Sequence, residues 1–424
     1  MNSNFKRYII FWLSQALSQL GSSMTTFALI LWTYTQKGTA MTVSLMTFFN
    51  YLPYIILSLF VGTFVDNHSK KKIMLVSDSI AAICSLAIFC LNSGNALQIW
   101  HIYLVNMIIG FMGAFQDPAS DVALGKVVPK EKLEQISGMN SFSDNLVAVL
   151  SPVFAAFLFA FGGLKLILII DMSSFLFAFL ILLFVLRIPD DIPQKAEKKS
   201  VFIGCKEGLQ YLKQHNGIFL VIITMAVLNF FSRLTYENIL SPMILSRSAN
   251  DSVTLGIVNA VMGIGGIIGG IIVSSGKIKA NSAKMIYLSA MLSFLLGDIM
   301  MGLGRNGIVW SLAGLAASLP IPFINAGQMV ILYRNVPEDM KGRIFAVRNA
   351  VQFSSIPLGI LLGGLLADYV FEPFMLTQNP ITQVLHKLVG EGAGSGMAVM
   401  FLCTGILGSL FSFAFYQRKD IRNL

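Results

Sequence analysis

The chain has 424 residues, of which 55% are hydrophobic and only 12% charged, with a formal net charge of +9. A soluble domain carries about 25% charged residues and a single core stops growing near ~250–300 residues, so a mean hydropathy of +0.73 exceeds what one core can hide. Lipid-facing helices absorb that surplus, which excludes a soluble enzyme, a disordered chain and a secreted disulfide scaffold.

A membrane-crossing helix needs ~20 mostly apolar residues. Such stretches fall at 8–33, 42–65, 73–92, 98–116, 141–161, 164–187, 217–240, 252–275, 283–303, 307–332, 345–370 and 397–417. They predict an all-α membrane protein with twelve transmembrane helices. The first stretch is too long for a signal peptide and leads into further spans, with no cleavage site and polar domain after it. Loop chemistry marks the breaks: Lys37-Gly38, Asn92 to Asn95, Gly162-Gly163 and Gly304 to Gly307. With the N-terminus inside, 24 of the 30 Lys and Arg residues fall in cytoplasmic segments. The positive-inside rule therefore places both termini in the cytoplasm. The +9 is then an orientation signal and gives no support to nucleic-acid binding.

Span one carries Ser14, Gln15, Ser18, Gln19 and Ser22, and polar residues four apart share one helix face. Such a stripe either lines a cavity or packs helices together. After span two, Gly62-Thr-Phe-Val-Asp66-Asn67-His68-Ser69-Lys70-Lys71 joins a glycine, an acid and a basic cluster. Asp66 can sit at the positive N-terminus of a neighbouring helix, and the lysines either pair with acids of other loops or anchor to anionic lipid. Asp78 lies near that loop, Asp144 opens span five and Asp171 lies on span six. The stretch 188–216 is polar, and its part 202–213 reads as an amphipathic helix on the membrane surface.

Span seven carries Asn229, Arg233 and Glu237, the last two spaced to neutralise each other, either as a cavity pair or as an interfacial pair. Span eight holds Gly263, Gly265, Gly266, Gly269 and Gly270, and span eleven Gly359, Gly363 and Gly364, spacings that let helices approach closely. Asp298 lies on span nine, and span ten carries Ser311, Ser318, Asn325 and Gln328; Asp368 ends span eleven. Ionisable groups inside spans are costly and so point to function. Pro53, Pro152, Pro320, Pro322 and Pro357 are candidate kinks.

The halves repeat. A shift of 208 residues carries the Gly62 segment onto Gly270-Ile-Ile-Val-Ser274-Ser275-Gly276-Lys277-Ile278-Lys279, and Val128-Pro129 onto Val336-Pro337. Duplicated six-helix units are how transporters build a central site that faces either side in turn. The expected units are 1–187, a linker 188–216 and 217–424.

The motif after span two resembles the signature of the major facilitator superfamily, keeping Gly62, Asp66, Lys70 and Lys71 and departing at Asn67 and Ser69. Asp117-Pro118-Ala119, Lys132-Leu133, Lys206 to Leu212 and Val336-Pro337-Glu338 with Gly342-Arg343-Ile344-Phe345 resemble its branch of macrolide-efflux permeases and exporters of siderophores and lysophospholipids. The resemblance implies the major facilitator fold, with spans one, four, seven and ten lining the cavity. Substrate contacts then fall to Ser14, Gln15, Ser18, Gln19, Ser22, Asn229, Arg233, Glu237, Asn325 and Gln328. It implies a cytoplasmic gate of Gly62, Asp66, Lys70, Lys71, Asp144 and Arg343, and proton coupling through Glu237, Asp171 or Asp298. Asp171 and Asp298 lie on peripheral spans of that fold, where a structural contact is the plainer reading.

Its further implications are a drug:proton antiporter of the plasma membrane, no cofactor beyond the proton motive force, and a monomer. The partners are then the bilayer, a small amphipathic substrate, macrolide-like drugs first, and protons. Export or flipping of an endogenous metabolite, siderophore or lysophospholipid is the alternative; a non-transporting receptor or channel is more distant. An enzyme is not expected: the four histidines are isolated, and Cys84, Cys90, Cys205 and Cys403 form no metal or redox spacing. Gly270 to Lys277 fails as a phosphate loop because Ile278 stands where Ser or Thr is required.

Overall fold

A computed structural model describes residues 3–66, 68–127, 133–185, 201–275 and 281–422. Asn67, 128–132, 186–200 and 276–280 lie outside the described residues, as do the side chains of Gly62 and Asp66. Part of the loop signature, the 128–129 and 276–279 stretches of the repeat and the first part of the linker therefore fall outside the description.

The described residues are helical throughout, and the chain divides into two units. One comprises Met1–Lys37 and Leu45–Glu197, the other Gly38–Ser44 and Lys198–Leu424. Ten helical stretches among the described residues are long and apolar enough to cross a bilayer. That count differs from twelve at two places. The helix α1 (Ser3–Lys37) is long enough, at 35 residues, but is not among the ten because its polar stripe dilutes its hydropathy. Ser143–Phe184 counts once at 42 residues, a length of ~63 Å as a continuous helix, about twice the bilayer core. Gly163 breaks it with φ 59° and ψ −162°, a backbone conformation that only glycine adopts without strain.

The first unit contains α1, α3 (Lys70–Ser93), α4 (Ile99–Val127) and α5 (Leu133–Phe184), the last being two helices joined at Gly163. The helix α2 (Ala40–Asp66) adds everything beyond Ser44. Ser69 caps α3, accepting a hydrogen bond from the Lys72 N–H, and such caps satisfy donors that the first turn leaves over. Val61, Val65, Met74, Ala119 and Leu182 are buried in one cluster. The outward faces are apolar too: Ile83 is 63% and Phe157 56% exposed, as lipid contact demands.

The second unit begins with α6 (Val201–Gln214), the helix expected over 202–213. Leu212 is fully buried against Ile218, Ile222, Leu332 and Ile344, and Gly208 meets the Arg343 carbonyl, so this helix docks one face on protein. Then come α7 (Asn216–Thr235), α8 (Leu240–Arg247), α9 (Ser252–Ser274) and α10 (Ser282–Leu292). A π-helical turn, Ser293–Asp298, joins α10 to α11 (Ile299–Leu303). Span ten is split by Pro320 into α12 (Gly307–Ser318) and α13 (Ile321–Asn335), as expected of a residue that cannot donate to the ladder. In contrast, Pro53, Pro152 and Pro357 stay inside continuous helices.

The helix α14 (Glu338–Leu366) ends in a second π turn, Ala367–Phe371. It is followed by α15 (Glu372–Met375), α16 (Pro380–Val389), α17 (Ser395–Tyr416) and α18 (Lys419–Arg422). Val221, Met225, Tyr287, Phe294 and Ile331 form the buried centre of this unit.

Candidate functional site

The second unit holds a cavity of ≈360 Å³ between α7, α9, the α10 π turn, α12 and α13, within the ~300–1,000 Å³ usual for small-molecule sites. Its wall mixes apolar side chains such as Met225, Leu228, Met262 and Phe294 with Asn229, Arg233, Tyr236, Glu237, Asp298 and Asn325. Asn229, Arg233, Glu237 and Asn325, four residues expected to meet substrate, are thus brought together. Gln328 is not on this wall; it is 4% exposed, and its Nε2 has no hydrogen-bond partner among the described residues.

Arg233 and Glu237 form an ion pair one helical turn apart, with side chains 28% and 33% exposed. Gly359 and Gly363 of α14 press against this stretch. A Cβ on Gly359 would lie 2.9 Å from the Arg233 Cβ, and one on Gly363 would overlap the Leu234 carbonyl. The span-eleven glycines therefore seat α14 against the backbone that presents the pair.

Asp298 ends the π turn and is 1% exposed. The Tyr236 hydroxyl donates to its Oδ1 at 2.9 Å and the Thr404 hydroxyl to its Oδ2 at 2.7 Å. No basic side chain pairs with it among the described residues. Two hydroxyls give each oxygen of this buried carboxylate one donor without cancelling its charge. Gly297 packs the turn against Ala317 of α12, and the Ser293 hydroxyl donates to the Ala317 carbonyl at 2.6 Å. π turns recur at functional sites, and this one sets Asp298 in the cavity wall although span nine is peripheral in the expected fold.

In the first unit the polar stripe of span one meets acids of α5. Gln19 Nε2 donates to Asp144 at 3.0 Å, and Ser22 and Thr25 hydroxyls donate to Asp171 at 3.1 and 2.9 Å. Ser85 of α3 adds a third hydroxyl at 3.2 Å. Ser14 instead donates to the Phe11 carbonyl, Ser18 is half-buried, and Gln15 Nε2 has no partner among the described residues. Asp78 accepts from Gln116 at 2.6 Å.

Among the gate residues, Lys70 is buried at the head of α3. Lys71 Nζ donates to the Leu183 carbonyl at 2.9 Å, and Arg343 Nη1 lies 3.2 Å from Met340 Sδ. Asp144, on α5, is held by Gln19. Asp368 accepts from the N–H groups of Ala40 and Met41 at 3.0 and 2.7 Å; these residues begin α2 and belong to the second unit. A carboxylate there meets the positive end of the helix.

The family model of the Major Facilitator Superfamily matches residues 11–360. The chain belongs to this superfamily. Macrolide efflux protein A of Streptococcus pyogenes is 26% identical over 375 residues, covering 87% of this chain and 91% of that protein. The staphyloferrin A transporter of Staphylococcus aureus is 23% identical over 369 residues, 84% and 89% of the two chains. A bacterial homologue of the iron transporter ferroportin, solved in an inward-facing state, superposes with a TM-score of 0.70 at 15% identity, covering 98% and 99%. The protein is therefore a multi-pass membrane transporter of the major facilitator fold, a class outside the enzymes.

Several residues of these sites escape a reading of the superfamily pattern. Thr25 continues the span-one stripe three residues beyond Ser22 and could have been found by that spacing. Tyr236 sits between Arg233 and Glu237 but has no polar spacing to flag it. Ser85 and Thr404 meet their carboxylates from 86 and 106 residues away, so only tertiary packing joins them.

Proposed function

We propose that the protein exports amphipathic small molecules, macrolide-like drugs first, in exchange for protons. The single observation behind this reading is the cavity of the second unit. Its apolar wall suits a drug skeleton, while Arg233, Glu237 and Asp298 offer charge that can be exchanged. The name of the Streptococcus pyogenes relative, macrolide efflux protein A, supports export and the drug class. In this reading Asp298 and Glu237 are the coupling acids. A proton on Glu237 releases Arg233 to meet an acceptor on the substrate, and loss of that proton restores the pair and ejects the substrate.

The same reading takes the long α5 and the polar α1 as three crossings. That gives twelve spans in two six-helix units, with both termini in the cytoplasm of a plasma membrane. Gly62, Asp66, Lys70, Lys71, Asp144 and Arg343 form the inner gate, no cofactor is required beyond the proton motive force, and the monomer suffices. Export of a siderophore is the second reading, favoured by the staphyloferrin A transporter among the relatives.

The test is a susceptibility panel in an efflux-deficient bacterial host, with drug accumulation measured with and without a protonophore. Wild type should lower macrolide accumulation until the protonophore is added, and Glu237→Gln should not lower it at all. Unchanged tolerance to every drug would abandon drug efflux in favour of the siderophore reading. Efflux that survives the protonophore would remove the proton.

A further inference from the structure

We propose that Asp171 and the hydroxyls of Ser22, Thr25 and Ser85 form a binding site for a monovalent alkali cation of the sodium class in the first unit. Three helices converge on this carboxylate: Ser22 and Thr25 from α1, Ser85 from α3 and Asp171 from the second half of α5, with hydroxyl–carboxylate distances of 2.9–3.2 Å. The two carboxylate oxygens and three hydroxyl oxygens are all hard donors, the set that suits alkali and alkaline-earth ions rather than soft metals. Each hydroxyl has one proton and two lone pairs. It can donate to the carboxylate in one state and turn a lone pair to a cation in the other.

Charge selects among the hard cations. Asp171 is 3% exposed, and among the described residues no basic side chain pairs with it. An ion buried without a partner is expensive even after the surroundings relax. One positive charge cancels the carboxylate, whereas a divalent ion would leave one charge over in the same low-dielectric surroundings. Magnesium also keeps several waters in a near-octahedral shell, and the close packing here opposes that. A Cβ at Gly21 would lie 3.1 Å from both the Asp171 Cα and its Oδ1, so α1 runs hard against α5 at this level. The Ser174 hydroxyl donates to the Asp171 backbone carbonyl at 2.9 Å and fixes the residue from behind. Ser22 is exposed while Thr25 is buried, which gives the cluster an outer and an inner end.

The site is built from residues of the first unit and the cavity from residues of the second. The experiment uses the purified full-length protein in detergent. It measures binding of radiolabelled sodium, and thermal unfolding in sodium chloride against equimolar choline chloride, with lithium, potassium and magnesium chlorides as competitors. Wild type is expected to bind sodium and to unfold at a higher temperature in sodium than in choline, because a ligand of the native state stabilises it. Asp171→Asn should lose at least about tenfold in affinity, the lower end of what disrupting a metal's coordination support costs. Thr25→Val and Ser85→Ala keep the carboxylate, and each should weaken binding while the protein still folds. Equal unfolding in sodium and choline with no bound label overturns the proposal, as does undiminished binding in all three variants. Competition by magnesium as strong as that by lithium overturns the monovalent assignment. Because drug efflux is assayed separately through Glu237→Gln, failure here leaves the export reading untouched, and the reverse also holds.

Discussion

The Tyr236 hydroxyl donates to Asp298 across 62 positions of sequence, at 2.9 Å, Tyr236 capping the C-terminus of α7 and Asp298 ending the π turn in one cavity wall. Removing the titratable group while keeping the hydrogen-bond acceptor isolates its charge. In proteoliposomes, Asp298→Asn should retain substrate exchange at equal proton concentrations and lose uphill transport driven by a pH gradient. Tyr236→Phe removes one donor to a buried carboxylate, a loss of about 1.5–3 kcal/mol, so it should lower thermal stability and slow uphill transport without abolishing it. Wild-type uphill rates in Asp298→Asn would dismiss the residue as a coupling group.

The Arg233–Glu237 pair makes a prediction of a different kind. Each side chain is about two-thirds buried, and leaving one buried charge without its partner costs more than removing both. Arg233→Met and Glu237→Met should each lower the unfolding temperature more than the double variant does. A thermal-shift double-mutant cycle should return a coupling of about 0.5–3 kcal/mol, the range for residues in contact. Additive single effects would mean that the two groups do not interact in the folded protein.

At the far end of α16, Arg305 Nη2 donates to the carbonyls of Lys387 and Leu388 at 2.7 and 3.4 Å, and Arg247 donates to the Val389 carbonyl. Both cations meet the negative end of a short helix, whose N-terminus Asn379 and Thr382 close as a capping box. Arg305→Ala should therefore fray α16 first at its last turn. Hydrogen exchange at the Lys387 to Val389 amides should accelerate several-fold, about fivefold for a loss of ~1 kcal/mol. Protection unchanged at those amides would assign the arginine no part in holding the helix.

Span limits were legible because their punctuation is local. Gly304 to Gly307 mark a break, and the structure uses Asn306 there as an N-cap to Val309; Gly162-Gly163 mark the kink of α5. The short helix α16 was not legible: at 10 residues it falls under the length of a span, and its Ile381, Val384 and Leu388 stay exposed. In the cavity, spacing alone assembled Asn229, Arg233 and Glu237: the first two lie on α7, and Glu237 follows just past its end, four residues from Arg233. The place of Asp298 depended on a π turn, and no residue pattern announces one. The stripe of span one was visible, yet its partners Asp144 and Asp171 were out of reach because the hydrogen bonds span 125 to 149 residues.

The glycines of span eight look alike in sequence and should behave in two opposite ways. Gly265 and Gly269 face α12 and the turn after it: an added Cβ would overlap the Ser318 hydroxyl in one case and the Leu319 carbonyl in the other. Gly266 and Gly270, one position on, have nothing within 4 Å of the same added atom. Backbone atoms cannot move aside as a flexible side-chain tip can, so Gly269→Ala must part α9 from the turn between α12 and α13. Overpacking of this kind costs about 1–3 kcal/mol or more. Alanine at Gly266 or Gly270 instead gains helix propensity of up to ~1 kcal/mol. Thermal unfolding of the four purified variants should separate them into a destabilised pair, 265 and 269, and a neutral or stabilised pair, 266 and 270. The first unit offers a control, since a Cβ on Gly110 would overlap the Asn50 carbonyl and Gly110→Ala should join the destabilised pair. A uniform response across all four span-eight positions would show that α9 is not packed against α12 and α13 through this face.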